Sequence, residues 1–142
     1  MNTPALKTDY MLLFRGTDWG KELSAEELQK VVSDWTAWFE RLSQDGKVKS
    51  GHPLQNEGKV ISGRNGRIIA DGPFAESKEA VGGYFYLQVD DMDEAVKIAQ
   101  QCPGLEYGAI VEVRPVAEMC AMRHRAMEEA AAQSEELSHA LV

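Results

Sequence analysis

The chain has 142 residues, enough for one domain with its own core and too few for two. Hydrophobic residues make up 44% and charged residues 27%, and no apolar run approaches the roughly 18 residues of a membrane span, so a soluble domain with no membrane contact is expected. A formal net charge of −8 argues against nucleic acid as a partner, because phosphate binding needs clustered Lys and Arg.

Tyr10-Met11-Leu12-Leu13-Phe14, ended by Arg15-Gly16, reads as a short buried strand. Ser24-Ala25-Glu26-Glu27 is a capping box, with Leu23 and Leu28 placed to close a hydrophobic staple over it. Leu28, Val31, Val32, Trp35, Phe39 and Leu42 recur at helical spacing until Asp45-Gly46 stops the helix. Trp35 is expected in the core, Trp38 lies off the centre of that stripe, and either ring can instead line a ligand cleft.

Lys47–Leu54 forms the next extended segment, followed by Lys59–Ser62 and Arg67–Ala70, which Asn65-Gly66 joins as a type I′ hairpin. The hairpin runs into Asp71-Gly72-Pro73-Phe74-Ala75-Glu76-Ser77-Lys78-Glu79, a run that no simple helix or strand pattern calls for. Asp71 is expected to accept a hydrogen bond from backbone two residues on, Gly72 is free to take φ > 0, Pro73 fixes φ and Phe74 anchors the turn. The run reads either as a functional site or as a well-made connection with a solvated acidic face.

From Tyr84 to Val89 the pattern alternates: Phe85, Leu87 and Val89 on an apolar face, Tyr84, Tyr86 and Gln88 on a polar-tipped one that can border a cleft. Asp91 and Glu94 cap a helix carrying Ala95, Val96, Ala99 and Cys102 inward, and Pro103-Gly104 ends it. Ala109–Arg114 is the last strand, finishing at Pro115. This order is that of an α+β, ferredoxin-like split βαβ sandwich over residues 1–117, with its helices on one sheet face. The bare face predicts a homodimer packed sheet to sheet as a dimeric α+β barrel. Residues 118–142 read as an added C-terminal helix, with Met119, Met122, Ala126 and Ala130 at helical spacing, fraying after Gln133.

Met1–Lys7 has neither the basic start nor the apolar core of a signal peptide, which points to the cytoplasm. Cys102 and Cys120 show no C-x-x-C or Cys/His pattern, so they read as reduced, inert thiols. Arg123-His124-Arg125 is too short for a phosphate stripe and reads as helix surface. There is no Gly-rich phosphate loop, nucleophile elbow, HExxH or Ca²⁺ loop, so no metal and no nucleotide cofactor is expected.

Asp71-Gly72-Pro73-Phe74, Glu76-x-Lys78-Glu79, Gly82-Gly83, Asp93-Glu94-Ala95 and Glu112-Val113-Arg114-Pro115, in that order, resemble the DGPF family of YCII-related proteins. The first half resembles it more loosely, through the tryptophan-bearing helix and Gly46-Lys47-Val48, and the tail lies outside it. The resemblance implies a ferredoxin-like dimeric α+β barrel. On function it implies little: most members have no assigned activity, and the occurrence of some beside or fused to alternative sigma factors implies a transcription-regulator partner. A His/Asp pair in a small cleft is the chemistry it suggests; Asp71 is the counterpart here, while Ser33–Trp38 carries no histidine.

His52 is the histidine inside the predicted domain, either a loop residue before Pro53 or the acid partner of Asp71. Asp71 itself is a general base or a turn-stabilising residue, and the two roles can coexist. Glu76 and Glu79 flank Lys78, as ligand-orienting groups or as solvated surface. Arg114 can clamp an anionic group or pair with an acid. Gly82-Gly83 admits a ligand close to the backbone or forms a bulge. The candidate set is therefore Asp71 and His52 for catalysis, with Asp71, Glu79, Tyr84, Tyr86 and Arg114 for binding a small polar molecule. Three functions fit it: a ligand-binding dimer, a small cofactor-free lyase, isomerase or hydrolase, and an interaction module for a transcription regulator.

Overall fold

Alternation sets the sheet. In the computed structural model, which describes residues 8–73 and 77–140, strand β1 (Thr8–Arg15) turns Tyr10, Leu12 and Phe14 into the core. Strand β5 (Val81–Val89) does the same with Phe85, Leu87 and Val89, as its pattern requires. With β2 (Val48–Pro53) and β6 (Ile110–Pro115) they form one antiparallel sheet in the order β2-β5-β1-β6. That is the split βαβ order of a ferredoxin-like α+β fold.

Helix α1 (Ala25–Gln44) begins at the expected capping box: Glu27 N donates to Ser24 Oγ at 3.1 Å and Ser24 N to Glu27 Oε1 at 3.0 Å. Its buried line differs from the expected one. Val31, Trp38 and Leu42 are buried, Trp38 at 1% exposure, whereas Val32 is 62% exposed. The apolar stripe is wider than the strip of helix that meets the sheet. Its other edge, Leu28, Val32, Trp35 and Phe39, faces a cleft, although Trp35 and Phe39 also pack against the core.

Helix α2 (Met92–Ala99), capped by Asp91, buries Ala95, Ile98 and Ala99 against the same core. Ile98 takes the inward place expected of Val96, because four, seven and eight residues from the cap fall on one helix face. Cys102 is buried as expected, and Pro103 opens a 3₁₀ turn to Tyr107 rather than simply ending the helix.

The hairpin β3 (Lys59–Ser62) and β4 (Ile68–Asp71) is a separate two-stranded sheet inserted between β2 and β5. Asn65 (φ 60°) and Gly66 (φ 65°) take the expected positive φ values. The connection is longer than a two-residue type I′ loop, because Gly63 (φ 82°) leaves the ladder first and residues 64–66 make a 3₁₀ turn. Val60, Ile61, Ile68 and Ile69 are exposed on this arm.

Helix α3 (Ala121–Ala140) continues past Gln133, where fraying was expected, since Ala, Gln, Glu and Leu are good helix formers and no Gly or Pro interrupts them. Among the described residues no helix is long and apolar enough to cross a membrane.

Candidate functional site

Glycine makes room for an aromatic cleft beside the sheet. Gly16 leaves β1 with φ 77° and donates to Ala80 O at 3.1 Å, which swings the following loop and its Trp19 over the outer edge of α1. Across from it, a Cβ on Gly51 would lie 2.7 Å from Phe85 Cδ1, so only glycine lets β2 seat against that ring. Gly82 lies where the β1–β5 register slips between Phe14 and Arg15. A Cβ there would come within 2.9 Å of Thr17 Cγ2, so Gly82-Gly83 does form the bulge that was one of its two expected readings. Both glycines also line the cleft.

The cleft holds about 620 Å³. Its wall is an aromatic cluster: Phe14 and Trp35 meet edge to face at 4.9 Å, and Phe39 meets Phe85 at 5.0 Å. Trp19 lies parallel to Trp35 at 6.1 Å and to Tyr107 at 6.4 Å. Thr17, Thr36 and Asn56 are neutral polar residues of the cleft's lining. His52 and Tyr84 border it too, but they oppose each other in the β2–β5 ladder and Tyr84 pairs with Leu13, so their side chains lie on the sheet face turned away from the helices, where His52 Nδ1 shares a hydrogen bond with Tyr84 Oη at 2.8 Å.

Asn56 borders both this cleft and a second one of about 590 Å³ between the 55–59 segment and Asp71-Gly72-Pro73. Here Asp71 forms an ion pair with Lys59, and its side chain is 85% exposed. Asp71 cannot accept from backbone two residues on, because that residue is Pro73 and has no N–H. Gly72 is not in the positive-φ region either. It is needed for close approach: its N donates to Gly58 O at 3.1 Å, and a Cβ would meet Val60 Cγ2 at 3.0 Å. Phe74 and Glu76 lie outside the described residues.

The expected site residues are thus distributed. His52 and Tyr84 border the aromatic cleft but bond each other on the far sheet face, while Asp71 is in the neighbouring cleft and bonds Lys59 rather than His52. Tyr86 and Arg114 belong to the sheet face turned away from the helices. Tyr86 donates to Asp9 Oδ2 at 2.6 Å, which raises the phenol pKa, and Lys49 sits 3.6 Å from the same carboxylate. Arg114 lies 3.7 Å from Glu112, which also meets Arg15 at 3.3 Å. Glu79 is exposed, its backbone N donating to Ser77 Oγ, and it lines neither cleft. Among the described residues no group of three His, Cys, Asp or Glu side chains comes together to hold a metal ion.

Trp19 and Asn56 went unmarked by sequence reasoning. A signal for Trp19 existed, a large aromatic residue in the otherwise polar loop between Gly16 and Gly20.

The profile of the YCII-related domain family matches residues 10–120, from β1 to the start of α3. The chain belongs to the YCII-related domain family. An uncharacterized protein of Rhizobium meliloti (strain 1021) is 30% identical over 98 residues, which cover 66% of this chain and 79% of that one. Among solved structures, a hydroxynitrile lyase from Passiflora edulis is similar at a TM-score of 0.35 and 9% identity, over 81% of this chain and 98% of that one. In this YCII-related domain the Asp-Gly-Pro corner that carries the family resemblance adjoins the aromatic cleft through Asn56.

Proposed function

We propose that this YCII-related domain is a cytoplasmic small-molecule-binding protein whose site is the aromatic cleft, and that it works as a homodimer. The observation that carries the reading is an aromatic wall with a few neutral polar residues, Thr17, Thr36 and Asn56, around a cleft of ligand size. The described thiols are both free, which suits a reducing compartment. Binding is tested by thermal denaturation in the presence of varied metabolites. A ligand at a hundred times its Kd stabilises by about 2.7 kcal/mol, and Trp35→Ala is expected to abolish the shift. If no compound moves the midpoint and a crystal structure finds the cleft filled by side chains, the reading fails.

The homodimer rests on the sheet face away from the helices, where Met11 and Leu13 stay half-buried among Asp9, Tyr86, Arg15 and Glu112. Packing two such faces together hides this surface and joins the two sheets. Sedimentation is the test, and a stable monomer at micromolar concentration refutes it.

The His52–Tyr84 hydrogen bond also favours a second reading, cofactor-free proton transfer in a lyase, isomerase or hydrolase. The pair then serves as acid or base on the sheet face away from the helices, and Asp71 is a separate candidate base in the second cleft. His52→Gln is expected to remove turnover of an identified substrate; Asp71→Asn keeping full turnover excludes Asp71 as the base.

A further inference from the structure

We infer that the ligand of this cleft is an uncharged aromatic molecule of one or two fused rings whose polar groups are hydroxyl or carbonyl. This rests on the proposal that the cleft is the binding site. Three observations carry it. Among the described residues the lining contains no Asp, Glu, Lys or Arg side chain, although charged residues are 27% of the chain. An ionic ligand entering it leaves water without meeting an opposite charge, which is costly. An anion also meets a chain of net charge −8.

The walls match a flat apolar body. Trp19, Trp35, Phe39 and Phe85 surround the space, and aromatic rings gain from offset or edge-on contact with another ring beyond the area they bury. A volume of about 620 Å³ takes such a molecule with room for its approach.

The polar part of the lining is neutral. Thr17, Thr36 and Asn56 bring hydroxyl and amide groups, which pair with a hydroxyl or carbonyl on a ligand and offer nothing to a charge.

The test is calorimetric titration of the full chain at pH 7 with 2-naphthol, 2-naphthoate, 2-naphthylmethylammonium and naphthalene. We expect 2-naphthol to bind one per chain and at least tenfold more tightly than either ion. Phe39→Leu should weaken 2-naphthol and naphthalene alike by about three- to tenfold, the worth of one aromatic pair. Its melting curve confirms that the variant folds. Equal or tighter binding of either ion overturns the inference, as does a Phe39→Leu chain that binds 2-naphthol as tightly as the unaltered one. If none of the four binds but a compound of other chemistry raises the melting midpoint in a Trp35-dependent way, the ligand class is wrong and the site stands. If no compound of any chemistry does so, the site itself falls.

Discussion

Gly51 gives the sharpest test of how the cleft and core are built. A Cβ added there meets Phe85 Cδ1 at 2.7 Å, Tyr84 O at 3.0 Å and Phe39 Cε2 at 3.1 Å. None of the three can yield cheaply. Phe85 is buried with the rings of Phe14, Trp38 and Phe39 about it at 4.9, 4.9 and 5.0 Å, and Tyr84 O is backbone in the central strand β5. Overpacking of this kind costs about 1–3 kcal/mol, while replacing glycine returns about 0.4–1 kcal/mol by restricting the unfolded chain. Gly51→Ala should therefore lose about 1–2 kcal/mol net, a fall in Tm of roughly 2–8 °C for a domain of this size. Gly20→Ala is the matched control. Its nearest neighbours lie at 3.9 and 4.0 Å, in ordinary contact, and its φ is not positive, so it should be neutral or gain a few tenths of a kcal/mol. Thermal and guanidinium unfolding at equal protein concentration, with unchanged m-values, measures both. Equal effects from the two substitutions would refute the argument from close packing.

Other outcomes follow from the same geometry. Trp38→Ala should cost about 3–5 kcal/mol, the range for removing a buried aromatic ring, whereas Val32→Ala, at a site 62% exposed, should change stability little; chemical denaturation distinguishes them. Ser24→Ala breaks the capping box and should cost roughly 0.5–2 kcal/mol with a loss of helix signal. Cys120 is exposed and its pKa is lowered by the backbone N–H groups of Arg123 and Met122, so iodoacetamide should label it in the native protein while sparing buried Cys102, as peptide mass mapping will read. Burial pushes the Cys102 thiol from 9.0 up to about 11. Its contribution is fully present below pH 9 and is lost as pH rises towards 11, because the unfolded thiol ionises first. Cys102→Ala should flatten that alkaline decline, and an unchanged slope rules the thiol out as its source.

The fold was legible because its periodic signals were local. Alternation along Tyr84–Val89 named the core residues of the central strand, and Ser24 with Glu27 marked the start of α1. What the periodic signals miss is the rotation of an apolar stripe about its axis. Trp35 and Trp38 are both apolar at helical spacing, and only the position of the sheet decides that Trp38 is enclosed while Trp35 walls the cleft. The site was less legible for the same reason. His52 and Tyr84 lie 32 residues apart and meet through the β2–β5 register, which no sequence window contains. Asp71 drew attention by its turn chemistry, but the corner was misread by one atom, the missing N–H of Pro73.

The sheet order also sets how the chain must fold. β1 is the earliest described strand, yet its neighbours are β5 and β6: Tyr10 pairs with Leu87 on one side and with Pro115 on the other. Two of the side-chain hydrogen bonds that reach it close loops of 77 and 97 residues, Tyr86 to Asp9 and Arg15 to Glu112. Such non-local pairing makes folding slow, because the entropy of loop closure is lost before the contacts return it. A strand with five consecutive apolar residues, Tyr10 to Phe14, therefore waits with both edges unpaired until most of the domain has been synthesised. During that interval it is the segment most exposed to aggregation, so chaperone dependence should track β1 rather than the later strands that complete the sheet.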